Sequence, residues 1–139
     1  MDKLTHNTNL RVRYVETDQM GVVNNGNYLT YFEVGRTELM RSYHLPYMRL
    51  EETGYYFPLL ESYAQYLKPA HYDNILVIKT KLPTVPSARI RFDYEICCEE
   101  EILTRGYTVH CFMDIATMHA VRPPKYLIDF LNKFAAMNN

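Results

Sequence analysis

From Thr17 to Asn27 the chain reads Thr17-Asp18-Gln19-Met20-Gly21-Val22-Val23-Asn24-Asn25-Gly26-Asn27, a carboxylate followed by turn and cap residues. From Tyr28 apolar side chains recur at helical spacing, so this segment ends where a helix begins. The first N–H groups of a helix lack intrahelical acceptors and sit at the positive end of its dipole, which suits an anion or a polarised carbonyl. A carboxylate just ahead of such amides fits acyl transfer. The amides hold the carbonyl oxygen, and the carboxylate attacks the acyl carbon or activates water. The same residues also describe a local arrangement, in which Asp18 closes an Asx turn and the asparagines cap the helix.

Other chemistry-bearing residues divide in the same way. Glu33 and Arg36, three apart on that helix, are either a surface ion pair or part of a pocket wall. Cys97, Cys98 and Cys111 have no nearby histidine in sequence and fall in strand patterns, as buried inert thiols do. His110 and Asp114 share one face of a strand, where alternating polar positions read as solvent-facing, and two scattered ligands do not make a metal site. No metal is expected. Lys79, Lys81, Arg89, Arg91 and Arg122 offer either a local phosphate-binding patch or a solvated sheet face.

The elements that must position these groups follow from periodicity. Leu10, Val12 and Tyr14 alternate with Arg11 and Arg13, predicting a first strand over Leu10 to Tyr14. Tyr28, Phe32, Gly35, Leu39 and Tyr43 form a helical stripe of about four turns, stopped by Pro46. Gly35 in mid-helix costs about 1 kcal/mol relative to Ala, and its place on the stripe implies a backbone pressed against a neighbour. A short helix is expected from Pro46 to Gly54. Period-two runs then occupy Phe57 to Leu67, Asn74 to Leu82, Ala88 to Cys98 and Leu103 to Asp114, joined by hairpin-sized turns. In the third run Ala88, Ile90, Phe92, Tyr94, Ile96 and Cys98 face a core, and Arg89, Arg91, Asp93 and Glu95 face away. After Pro123-Pro124 a terminal helix carries Tyr126-Leu127, Phe130-Leu131 and Phe134. The result is an α+β fold, one long helix with five largely antiparallel strands that can curl around it.

Composition narrows the function. At 139 residues, 47% hydrophobic and 22% charged, the chain is sized for one domain over 1–139 that buries a core without disulfides. Lys+Arg 15 against Asp+Glu 16 gives a net charge of -1, which disfavours nucleic acid as a partner. Three cysteines without a CxxC point to reduced thiols, and no apolar run approaches a bilayer span. Met1 to Leu10 lacks the apolar core of a leader, so a cytoplasmic protein away from membranes is expected. Thirteen Tyr and 6 Phe with no Trp are high for this length and suggest wet interfaces.

The string Tyr14, Thr17-Asp18, Gly21-Val22-Val23, Asn27-Tyr28, Tyr31-Phe32-Glu33 and Arg36-Thr37-Glu38 resembles the hotdog-fold acyl-CoA thioesterases, in their 4-hydroxybenzoyl-CoA thioesterase-like branch. Tyr66 with Pro69-Ala70, Asp73 with Leu76, Thr108 with His110, Asp114, and Val121-Arg122 continue the likeness over nearly the whole chain. The resemblance implies a curved antiparallel five-stranded sheet around one long helix. It implies hydrolysis of an acyl-CoA thioester to free acid and coenzyme A, with Asp18 as nucleophile or general base and the backbone N–H at Asn25 polarising the carbonyl. Gly26, Tyr28, Glu33 and Tyr66 would contact substrate, and Arg89 and Arg91 the phosphates of coenzyme A, which enters as part of the substrate with no separate cofactor. Many members read Tyr-His where this chain has Asn24-Asn25, and Asn25 cannot take a proton, so only its amide carries over. Acyl carrier protein thioesters are an alternative substrate, and a non-catalytic acyl-thioester binding module is an alternative role. Family members bind substrate across a subunit interface, implying a homodimer or homotetramer, and an exposed sheet edge is suited to it.

Overall fold

The computed structural model describes residues 4–83 and 85–137. Strand β1 (Leu4–Arg11) leads through a 3-10 turn (Tyr14–Glu16) to helix α1 (Asn27–Ser42) and the short α2 (Tyr47–Glu52). Strands β2 (Tyr55–Tyr56), β3 (Leu59–Tyr66), β4 (Ile75–Leu82), β5 (Arg89–Cys98), β6 (Glu101–Asp114) and β7 (Ala120–Val121) follow, and α3 (Lys125–Met137) closes the chain. The sheet runs β1-β4-β5-β6-β2, with β3 and β7 also paired to β6. All its ladders are antiparallel. The α+β architecture expected from the periodicity is present, and the sheet packs its apolar face on α1.

Helix α1 buries Tyr28, Tyr31, Phe32, Gly35, Leu39 and Met40. They meet Leu76 and Ile78 of β4, Ile90, Phe92 and Tyr94 of β5, and Phe112 of β6 in one continuous core. Phe32 stacks on Tyr94 with ring centroids 4.3 Å apart. Gly35 is where helix and sheet come closest, because a Cβ there would collide with Thr80 Oγ1 and lie 2.7 Å from Ile78 Cγ2.

Several details differ from the sequence reading. The first strand begins at Leu4 and ends at Arg11, because it is an edge strand whose polar Asn7, Thr8 and Asn9 gain their backbone bonds from β4, in the register Leu4↔Leu82 to Arg11↔Ile75. Tyr14 lies in the 3-10 turn and is 78% exposed. The run Phe57 to Leu67 shortens to β3, and the separate β2 precedes it, since Pro58 between them has no N–H to donate and its carbonyl instead accepts from Cys111. A register shift falls at Ile96/Cys97; Cys97 is buried outside the main core cluster, while Cys98, half-buried, packs against that cluster as its alternation predicts. Pro46 caps α2 rather than opening it, and β7, two residues long, has no period to betray it.

Candidate active site

The 3-10 turn delivers the chain into a tight hairpin. Asp18 N–H donates to the Val22 carbonyl at 2.9 Å and Asn24 N–H to the Glu16 carbonyl at 3.0 Å, with Thr17 bridged to Val23 between them. The far side of this hairpin is held by the segment after β3. Val23 N–H donates to the Ala70 carbonyl, and Tyr72 N–H to that of Gly21. The loop carrying Asp18 is therefore a small platform ahead of α1, braced on both sides by backbone hydrogen bonds.

Asp18 uses its two oxygens differently. Oδ1 accepts the N–H groups of Met20 at 2.8 Å and Val22 at 3.3 Å, so the Asx turn is real. Among the described residues no hydrogen bond occupies Oδ2, and the side chain is half-exposed. The asparagines, in contrast, do not cap the helix. The N-cap is Gly26, without a side-chain cap bond, and the Asn27 amide instead donates to the Glu16 carbonyl at 3.0 Å. Among the described residues the N–H groups of Asn25 and Gly26 consequently donate to no protein acceptor, and both lie at the positive end of the α1 dipole.

The other expected site residues fall into three places. Tyr66, 47% exposed, reaches the loop, its hydroxyl donating to the Asn25 carbonyl at 3.4 Å. Tyr28 lies beneath the loop, 3% exposed, with its hydroxyl accepting the Ala70 N–H and its ring against Tyr66 at 5.1 Å. Glu33 is exposed on α1 beside a cavity of about 710 Å³, lined also by Arg36, Thr37, Tyr47, Met48 and Phe57. Arg36 is the deeper member of this pair, with its guanidinium 3.9 Å from Glu33. Arg89 and Arg91 lie on the outer face of the sheet, opposite α1. There Arg91 pairs with Asp93 at 2.8 Å and stacks on Tyr107. A groove on the same face gathers Lys79, Lys81, Arg91 and Arg105 around Tyr63 and Tyr107. Within one chain the arginines of this face pair with acids of the same sheet, Arg91 with Asp93, Arg105 with Glu95 and Arg89 with Glu61, and not with the Asp18 loop.

Three site-forming groups escaped the sequence reading. His110 is not solvent-facing but 1% exposed, stacked on Phe57 at 4.5 Å, with Nε2 on Thr108 Oγ1 at 3.0 Å. Thr108 also bonds the Tyr94 hydroxyl at 2.6 Å, with Arg36 close by. Burial, helped by the charge of Arg36 and opposed by the Phe57 backbone, pushes the His110 imidazole down to about 4. Asp114 closes an Asx turn onto Ala116 and Thr117. Arg36, read with Glu33 as either a surface ion pair or part of a pocket wall, lines the cavity, and what the local pattern does not show is its depth. Glu16, 5% exposed, is the third. Its only sequence signal is the i,i+3 spacing from Arg13. The thiols are as expected, with Cys97 and Cys98 pushed up by burial.

A curved antiparallel sheet closed around one long helix, with an acid-bearing loop at the helix N-terminus, is the hotdog fold. The sequence model of the thioesterase-like superfamily matches residues 12–133, and the chain belongs to that superfamily. It is 30% identical over 120 residues to the acyl-CoA thioester hydrolase YbgC of Escherichia coli O157:H7, covering 86% of this chain and 90% of that one. The DHNA-CoA thioesterase of Staphylococcus aureus superposes with a TM-score of 0.87 at 29% identity, over 96% of this chain and 91% of the other. A 4-hydroxybenzoyl CoA thioesterase shares the fold, with a TM-score of 0.82 at 17% identity over 92% and 99% of the two chains.

Proposed function

We propose that the protein is an acyl-CoA thioesterase whose reacting groups are Asp18 and the amides of Asn25 and Gly26. The observation that carries this reading is the pairing of an unoccupied carboxylate oxygen with two undonated N–H groups at an uncapped helix start. Asp18 Oδ2 takes a proton from water as the water oxygen adds to the thioester carbonyl, or itself adds to that carbon. The oxyanion formed rests on the amides, and its collapse breaks the C–S bond. On the water route the products are the acid and a thiolate that takes the proton held by Asp18. On the nucleophilic route the thiolate takes a solvent proton and leaves a mixed anhydride on Asp18, which a water then hydrolyses to the acid. The Asx turn fixes the carboxylate so that it needs no reordering during the step. No metal or further cofactor enters, because coenzyme A arrives with the substrate.

The active unit is a homodimer, with a homotetramer as its further assembly. Edge strand β3 presents Leu59, Leu60, Tyr63, Tyr66 and Leu67 at 42–49% exposure, and an edge of this kind pairs readily with a second copy. The cations at Lys79, Lys81 and Arg91, with Arg89 along the same face, suit the phosphates of coenzyme A extended over the outer sheet. A cytoplasmic location fits the free thiols; among the described residues no helix is long and apolar enough to cross a membrane.

One observation favours a second reading. Asn25 offers no side chain for proton transfer, which suits a module that binds acyl thioesters without cleaving them. Thiol release from short, long and aromatic acyl-CoAs and from acyl carrier protein thioesters separates the readings. Turnover of an acyl-CoA is expected; cleavage of only the carrier-protein thioesters gives the alternative substrate, and binding without cleavage of either gives the module.

A further inference from the structure

Glu16 is a carboxylate buried among apolar neighbours, and both its oxygens are filled. Oε1 accepts the Arg13 N–H at 2.9 Å and the Tyr31 hydroxyl at 2.9 Å. Oε2 accepts Nε and Nη2 of Arg13 at 3.0 and 2.9 Å. Its backbone carbonyl takes the Asn24 N–H and the Asn27 side-chain amide, each at 3.0 Å. One residue thus binds the 3-10 turn, the return strand of the hairpin, and the first and second turns of α1. Asp18 lies two residues after it. Asn24, whose N–H it fixes, is the residue before Asn25. With no free oxygen and 5% exposure, Glu16 cannot serve as the base. It is placed to set the angle between the loop bearing that base and the helix bearing the amides.

We propose that Glu16 is a positioning residue for the thioester reaction, acting by clamping the Asp18 hairpin to α1 through Tyr31 and Asn27. This inference rests on Asp18 and Asn25 forming the reacting site. Tyr31 is fully buried, and burial together with the Glu16 carboxylate raises its hydroxyl, so it stays a donor across the working pH range. Among the described residues its 2.9 Å bond is the one hydrogen bond from the Glu16 side chain to α1. Misplacing reacting groups by an ångström costs about 10²-fold in rate, whereas a remote loss of stability leaves the turnover of folded protein intact.

The test is steady-state hydrolysis of one acyl-CoA by Glu16→Gln, Tyr31→Phe and Asp18→Asn, with thermal melts showing each protein folded at the assay temperature. Glu16→Gln loses the charge-assisted bonds, and Tyr31→Phe loses only the link to the helix. A positioning role predicts that kcat falls about 10- to 100-fold in Glu16→Gln and at least several-fold in Tyr31→Phe, with KM within about threefold of wild type in both. Should Glu16→Gln not fold, Tyr31→Phe decides alone. Wild-type kcat with a lowered melting temperature would overturn the proposal and leave Glu16 a stabilising residue only. If Asp18→Asn is inactive while Glu16→Gln and Tyr31→Phe turn over normally, the positioning role fails and the reacting site stands. If Asp18→Asn itself turns over normally, the site fails and the positioning role with it.

Discussion

Asp18 shows how one residue leaves room for two sequence readings at once. Its Oδ1 makes the turn, and among the described residues its Oδ2 carries no hydrogen bond, so the local reading and the proposed catalytic one are not exclusive. The segment was legible because carboxylate, turn residues and helix start are contiguous. Glu16 was not, because Tyr31 is half a helix away and the clamp exists only once α1 folds back onto the hairpin. His110 was misread for a related reason. Alternation along β6 marks it as polar, and what buries it is Phe57, an aromatic ring from the separate β2–β3 connection. Its neutrality has a measurable consequence. Between pH 6.5 and about 4 the unfolded chain binds a proton at this ring that the folded chain does not, so stability falls as pH falls through that window. The contribution is at most about 3 kcal/mol. Urea unfolding at pH 7 and pH 5 should show a smaller loss in His110→Gln than in wild type; equal losses would mean that the ring titrates normally.

At the scale of elements, the long helix and strands β4, β5 and β6 were readable because each buries one face and so keeps its period. Their ends were not, since edge pairing, the break at Pro58 and the shift at Cys97 are set by neighbours. Gly35 joins the two levels. Helix propensity alone predicts that Gly35→Ala stabilises by about 1 kcal/mol. The methyl, however, would strike Thr80 and Ile78 on β4, and overpacking of this kind costs about 1–3 kcal/mol. Gly35→Ala should therefore lower the denaturation midpoint, and a raised midpoint would show that α1 can lift off the sheet without cost.

For the whole molecule, the tyrosine surplus resolves into separate uses. Tyr28, Tyr31 and Tyr94 serve the core, Tyr66 touches the Asp18 loop segment at Asn25, and exposed Tyr63 stacks on half-buried Tyr107 on the sheet. Exposed β3 is the surface on which the proposed dimer depends. A Leu60→Lys, Tyr63→Lys double variant should sediment at about half the wild-type mass, because like charges facing across a two-fold edge repel; an unchanged mass would place the interface elsewhere. The central claim is chemical, and Asp18→Asn tests it most directly. Asparagine keeps the Oδ1 acceptor for Met20 and Val22, so the loop should hold its shape, but it removes the carboxylate oxygen proposed to act on the thioester. In a thiol-release assay on an acyl-CoA that the wild type hydrolyses, the variant should retain its fold and lose at least about 10²-fold in kcat. Turnover near the wild-type rate would contradict the account.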